Sequence, residues 1–160
     1  MKRRTSPKPA RESVAEMAEA VLPSDANPMG TAFGGKIVQW IDLCAALSAQ
    51  RHCRAPVVTV SMDDLHFHAP IRIGDVALLT SKVTAAFRSS MEVEVRVTAE
   101  NPVSGETRLC TTAYLTFVAL DDIGRPTDVP PLLVETPEER QAFDQANERR
   151  AARLARANRG

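Results

Sequence analysis

Few residues in this chain suit metal or thiol chemistry, and each shortage removes a class of function. The cysteines, Cys44, Cys53 and Cys110, are odd in number and widely spaced. They argue for reduced thiols in a cytosolic protein rather than a disulfide framework. The histidines are also three; His66 and His68 alternate with Asp64, but no further histidine or CxxC pair completes a zinc set. No GxSxG elbow offers a serine nucleophile. No apolar run approaches the ~20 residues that cross a bilayer, and the basic start MKRRTSPKPARES leads into no apolar signal core. Neither sign of charge dominates, with 20 Lys+Arg against 20 Asp+Glu, so no global basic field points to nucleic acid. Cytoplasmic placement follows as the expectation, with no membrane or nucleic-acid partner.

What is present fits one ordinary globular domain of 160 residues. Residues 1–12 are polar, proline-bearing and expected to form a disordered arm. Residues 13–22 are ambiguous: alanine and glutamate favour helix, an edge position favours strand. A loop rich in Pro, Gly, Asn and Ser follows, PSDANPMGTAFGG. From Lys36 to about Cys53 the apolar residues Ile37, Val38, Ile41, Cys44 and Ala45 recur at helical spacing. Gly34 and Gly35 then precede the first turn and Asp42 sits in the second. Beyond Pro56 the chain turns β-rich. Extended segments are expected over residues 57–70, 76–87, 91–98 and 108–120, joined by turns and paired antiparallel in sequence order. Met91, Val93, Val95 and Val97 alternate with Glu92, Glu94, Arg96 and Thr98, giving one dry and one wet face. Thr136-Pro137-Glu138-Glu139 opens a last helix, with Thr as N-cap, Pro at the first position and acids in the first turn. Its arginines, among them Arg149, Arg150 and Arg153, read as a solvated face. One helix against a curved antiparallel sheet is an α+β architecture. Its uncovered outer face and edges call for oligomerisation.

Asp42 stands in the apolar run WIDLCAAL. Burying an isolated carboxylate costs several kcal/mol or raises its pKa, so two readings stand open. It meets a structural partner, or it is a general base or nucleophile tuned by partial burial. Glycines before a helix expose amides at its positive end, where a carbonyl oxygen could be polarised. Seven or eight helical residues span roughly 11–12 Å, too far for those amides and Asp42 of one chain to meet on one carbonyl. A site using both would join two subunits.

The run PSDANPMGTAFGGKIVQWID resembles the signature of short hotdog-fold acyl-CoA thioesterases and of each half of the tandem brain-type acyl-CoA hydrolases. VVTVSMDDLHFHAPIRIGDVALLTSKV, RSSMEVEVRVTAENPVSGE and TAYLTFVALDDIGRP resemble the same family, in order. The likeness covers residues 17–132. It implies a hotdog domain over residues 13–132, a long helix wrapped by the sheet, with residues 133–160 as a helical extension. It further implies a homodimer of hotdogs, assembled into a hexamer as a trimer of dimers. The substrate would be an acyl-CoA, with no metal and no cofactor beyond the CoA of substrate or product. Catalysis falls by resemblance to Asp42 and, from the opposite protomer, Asn27, with Gly34 and Gly35 polarising the carbonyl. Substrate contacts fall to Gly30, Phe33, Thr59, Arg88, Ser89 and Ser90; Phe87 stands where the family usually has glycine. Trp40, Met29 and Phe33 are candidates for setting acyl-chain preference. The rival readings are an acyl-CoA-binding regulator without turnover and a hotdog dehydratase. The latter needs a histidine that residues 23–51 lack.

Overall fold

A computed structural model describes residues 6–160. The elements run β1 (Lys8–Pro9), β2 (Ala15–Ala20), α1 (Gly34–Cys53), β3 (Val57–Met62), β4 (Val76–Ala86), β5 (Ser90–Glu100), β6 (Thr107–Ala119), β7 (Leu132–Leu133) and α2 (Pro137–Ala157). The alanine-rich segment resolves to strand. An isolated short helix is marginal, whereas β2 gains a full antiparallel ladder against β4.

The main sheet has the order β2-β4-β5-β6-β3, antiparallel at every pairing. This corrects one expectation, since β3 does not pair with β4. It pairs with β6 at the far edge. The connection over residues 63–75 is no tight turn, and Pro70 within it cannot donate to a ladder. The chain instead first follows the edge of β6 irregularly, tethered by Asp63 N–H to Tyr114 C=O and His68 N–H to Cys110 C=O, and then crosses the end of the sheet to β4.

Helix α1 lies in the concave face, burying Ile37, Trp40, Ile41, Cys44, Ala45, Ser48 and Ala49. The sheet side supplies Leu79, Val83, Met91, Val93, Val95, Val97, Leu115 and Phe117, all nearly inaccessible. Each such side chain contributes about 1.5–3 kcal/mol of burial. Trp40, at 5% exposure, is core rather than pocket wall.

Two readings of polar segments are overturned. The outer face of β5 is not simply wet. Glu92 is fully buried beneath α2, where Arg149 grips it through two bonds of 2.9 and 2.7 Å and the Thr84 hydroxyl donates at 2.7 Å. Arg153 holds Asp63 at 3.0 Å, Arg149 stacks on Tyr114 and Arg150 on Phe87. Those arginines are therefore docking groups, and α2 shields part of the face left for oligomerisation. The arm is also not free over its described part: β1 pairs in parallel with β7, and Lys8 Nζ donates to the carbonyls of Arg51 and His52. Residues 1–5 of that arm lie outside the described residues. The N-cap of α2 is as read from sequence, with the Thr136 hydroxyl accepting from Glu139 N–H.

Candidate active site

Helix α1 begins two residues earlier than its apolar period suggests. Gly34 and Gly35 occupy its first turn, and Asp42 falls in the third. The residue before the helix is Phe33, which supplies no side-chain cap. The first amides of any helix lack an intrahelical acceptor, so the opening of α1 presents uncapped donors at its positive end. A Cβ on Gly35 would meet nothing within 4 Å, and one on Gly34 only the Phe67 ring at 3.9 Å. Packing within this protomer does not demand glycine at either position. What glycine leaves is a bare backbone that another molecule can approach closely.

The loop before α1 is built around Asn27. Its side-chain oxygen accepts from the amides of Met29 and Thr31, at 2.9 and 3.2 Å, and its amide nitrogen donates to the Thr31 hydroxyl at 2.8 Å. The backbone closes the same loop, Asn27 N–H to Thr31 C=O and Gly30 N–H to Asn27 C=O. Gly30 takes φ +80, a value that favours glycine. An amide carries two N–H donors, so with its oxygen occupied Asn27 retains one N–H to offer a further partner.

Asp42 is half-buried on α1, and the Thr59 hydroxyl donates to its carboxylate at 2.6 Å. No ion pair among the described residues involves Asp42. The structural carboxylates differ: Asp25 meets Lys36, Asp63 meets Arg153, Asp75 meets Arg108 and Glu92 meets Arg149. Thr59 reaches Asp42 from the edge strand, at a bulge. The β3–β6 register runs Thr59 opposite Phe117 and then Ser61 opposite Thr116, leaving Val60 unpaired. Such bulges re-aim side chains and recur beside active sites. Periodicity alone gives no sign of it.

The other expected substrate contacts are dispersed. Arg88 and Ser89 form the tip of the β4–β5 hairpin, with Phe87 N–H donating to Ser90 C=O. The Arg88 side chain is 92% exposed, with Asp128 3.6 Å away. Phe33 and Met29 are exposed at 57% and 86%, on the loop side of α1. Asp64, His66 and His68 sit on the irregular crossing rather than one strand face, and no cluster of three or more His, Cys, Asp or Glu suited to a metal occurs among the described residues. All three cysteines are buried and none forms a disulfide among the described residues, and burial pushes the Cys44 and Cys110 thiols up.

A cavity of about 340 Å3 opens beside the start of α1, bounded by Thr31, Gly34, Ile37, Phe67, Ala69 and Ile71. Of these, Gly34 was singled out in the sequence as a site residue and Ile37 only as part of the apolar helix face. The Asn27-to-Thr31 spacing of an Asx-type loop was the available signal for Thr31. The rest depend on where the crossing segment lands.

The model of the thioesterase superfamily matches residues 29–106. An uncharacterized acyl-CoA thioester hydrolase of Bacillus subtilis, YkhA, is 45% identical over 144 residues, covering 88% of this chain and 84% of that protein. The chain spans 26% of the mouse and rat acetyl-coenzyme A thioesterases that it also matches. Among solved structures, an apo-hexameric acyl-CoA thioesterase superposes with TM-score 0.91 at 40% identity, over 95% of this chain and 97% of that one. An acyl-CoA hydrolase of Staphylococcus aureus, solved with butyryl coenzyme A, coenzyme A and coenzyme A disulfide, gives TM-score 0.88 at 38% identity, over 95% and 93%. Further structures of that enzyme carry single alanine replacements of an asparagine, an aspartate and a threonine, separated in that order by 15 and 17 residues.

Proposed function

The chain belongs to the thioesterase superfamily, and from that premise we propose that it hydrolyses acyl-CoA to free acid and CoA, using Asp42 of one protomer and Asn27 of its partner. The observation that carries the assignment is the state of Asp42. It is a half-buried carboxylate on an apolar helix, oriented by the Thr59 hydroxyl and neutralised by no cation among the described residues. Asp25, Asp63, Asp75 and Glu92 each have an arginine or lysine beside them; Asp42 has none among the described residues and keeps its second oxygen for chemistry. Asn27, Asp42 and Thr59 also share the 15- and 17-residue spacings of the residues replaced in the Staphylococcus aureus enzyme.

In this mechanism the thioester oxygen accepts from the uncapped amides at Gly34 and Gly35 and from the remaining N–H of Asn27. Asp42 of the partner takes a proton from water, the water oxygen bonds to the carbonyl carbon, and the negative charge gathers on the oxygen held by those donors. The C–S bond then breaks and CoA leaves as thiolate, a good leaving group that needs little acid assistance. Direct attack by Asp42 would put solvent oxygen into its own carboxylate first; one turnover in 18O-water separates the two routes. Along α1 the step from Gly34 to Asp42 is ~12 Å, which supports drawing the two from different chains.

The same geometry supports a homodimer of hotdogs grouped into a hexamer. Strand β3 is an edge, and Val58 and Val60 on it and Leu43 and Leu47 on α1 are 41–53% exposed. An apolar edge strand invites pairing with another copy. Arg88, Ser89 and Ser90 are assigned to the CoA arm, Gly30 and Phe33 to the entrance beside the carbonyl. Replacing Asp42 by Ala is expected to lower kcat on acyl-CoA by ~10²–10⁴-fold, the usual cost of losing a general base, with the unfolding midpoint retained. A thiol-release rate within about threefold of wild type would contradict the assignment.

A further inference from the structure

We propose that the cavity at the start of α1 is the acyl-tail site and that Phe67 and Ala69, on the segment crossing the sheet end, set which tails it takes. The inference rests on the thioesterase reading above, because that reading fixes where the carbonyl lies. Two observations connect the cavity to the carbonyl position. Gly34, whose amide opens α1, is part of its wall. So is Thr31, whose hydroxyl accepts from the Asn27 side chain at 2.8 Å. One donor assigned to the thioester oxygen, the Gly34 amide, therefore borders this space directly, and a second, Asn27, is bonded to a residue of its wall. The remainder of the lining is chiefly apolar, from Ile37 of α1 across to Phe67, Ala69 and Ile71, with the exposed His68 at its edge. An alkyl chain leaving the carbonyl carbon is then desolvated against hydrocarbon, with no buried polar group left unpaired.

Size narrows the class. At the ~30 Å3 a water-sized group occupies, a cavity of about 340 Å3 holds roughly ten such groups. An acetyl group leaves most of it empty, and a long fatty chain overruns it into solvent past Phe67. Medium-chain acyl-CoA is the matching class. Two walls differ in firmness. Ile37 and Ile71 are buried in the core, whereas the Phe67 ring is 45% exposed and lies over Gly34. Phe67 is the part of the wall that gives way, so it decides how far a longer tail extends. Ala69, half-buried and packed against the core, is where added bulk consumes the space.

Binding of non-hydrolysable S-alkyl-CoA thioethers to the full chain tests this independently of turnover. Calorimetry is expected to show S-octyl-CoA binding at least tenfold more tightly than CoA, since each buried methylene is worth about a fourfold gain. Ala69→Phe is expected to cut that octyl-to-CoA ratio below about threefold. Phe67→Ala, at an exposed position and so a check against misfolding, is expected to raise the ratio of S-hexadecyl-CoA to S-octyl-CoA. An octyl gain of wild-type size in Ala69→Phe, or an unchanged length ratio in Phe67→Ala, overturns the proposal. If thioether binding behaves as expected while no acyl-CoA is turned over, the tail site stands and the catalytic reading falls.

Discussion

Thr59 and His52 show how differently two polar side chains are used within one helix–sheet interface. The Thr59 hydroxyl gives Asp42 its one side-chain hydrogen bond among the described residues, and a bond to a charged group is worth about 1.5–3 kcal/mol. Thr59→Val is therefore expected to lower kcat by roughly 10–100-fold, and Thr59→Ser to restore most of it; steady-state thiol release reads both. His52 is 1% exposed at the end of α1, its Nε2 2.7 Å from the Pro130 carbonyl and its Nδ1 without a partner among the described residues. Burial holds its pKa below 6.5, with Lys8 adding to the effect and the Pro130 and Glu12 contacts opposing it. The unfolded chain thus takes up this proton at a higher pH than the folded one. His52 contributes stability fully above about pH 6.5, and loses it as pH falls from there toward the lower folded value. Urea unfolding midpoints are expected to drop between pH 7.5 and 5 in the wild type and to drop less in His52→Gln. Equal slopes would contradict this role. Asp75 titrates separately, at more acidic pH: burial raises its pKa, but the Arg72 amide and the Arg108 guanidinium more than offset that and hold it below 3.8.

At the scale of elements, α2 is fastened by charge rather than by apolar area, since Ala146 is its one fully buried residue. Its hold is the Arg149–Glu92 pair, with Glu92 wholly inaccessible. Removing one partner of such a pair strands a buried charge at about 3–5 kcal/mol, whereas replacing both with apolar groups is often neutral. Arg149→Met is expected to destabilise by about 3 kcal/mol, and Arg149→Met with Glu92→Met to recover most of it, measured by chemical denaturation. No recovery would mean that α2 docks by other contacts.

These elements also mark where sequence was a good guide. The alternation through β5 located the strand and its core face, and the Thr136 cap located α2, because both signals are local. The partner of Glu92 was illegible, since Arg149 lies 57 positions away and only the folded sheet brings them together. The β3–β6 pairing was missed for the same reason. Asp42 stood out because a carboxylate in an apolar helix violates local expectation, whereas Asn27, an ordinary loop residue, was marked by the family resemblance alone. Thr59 was placed among the substrate contacts, but its bond to Asp42 was not foreseen, because the bulge that aims it leaves no periodic trace.

At the scale of the whole molecule, no helix among the described residues is long and apolar enough to cross a membrane. Four exposed apolar side chains, Leu43 and Leu47 on α1 and Val58 and Val60 on β3, stand beside the Asp42–Thr59 pair in sequence. Val60→Asp is expected to shift sedimentation toward monomer and to remove activity in parallel, because in the proposed mechanism each site draws on two chains. The most direct measurement is complementation between two inactive variants. Asn27→Ala and Asp42→Ala, each inert alone, are unfolded together, refolded as a mixture and assayed for acyl-CoA hydrolysis. A site assembled from Asn27 of one chain and Asp42 of the other leaves one intact site in every mixed dimer, so random pairing restores roughly a quarter of wild-type activity. If both residues of a site come from the same chain, no mixed dimer holds an intact site, and the refolded mixture stays as inactive as its components.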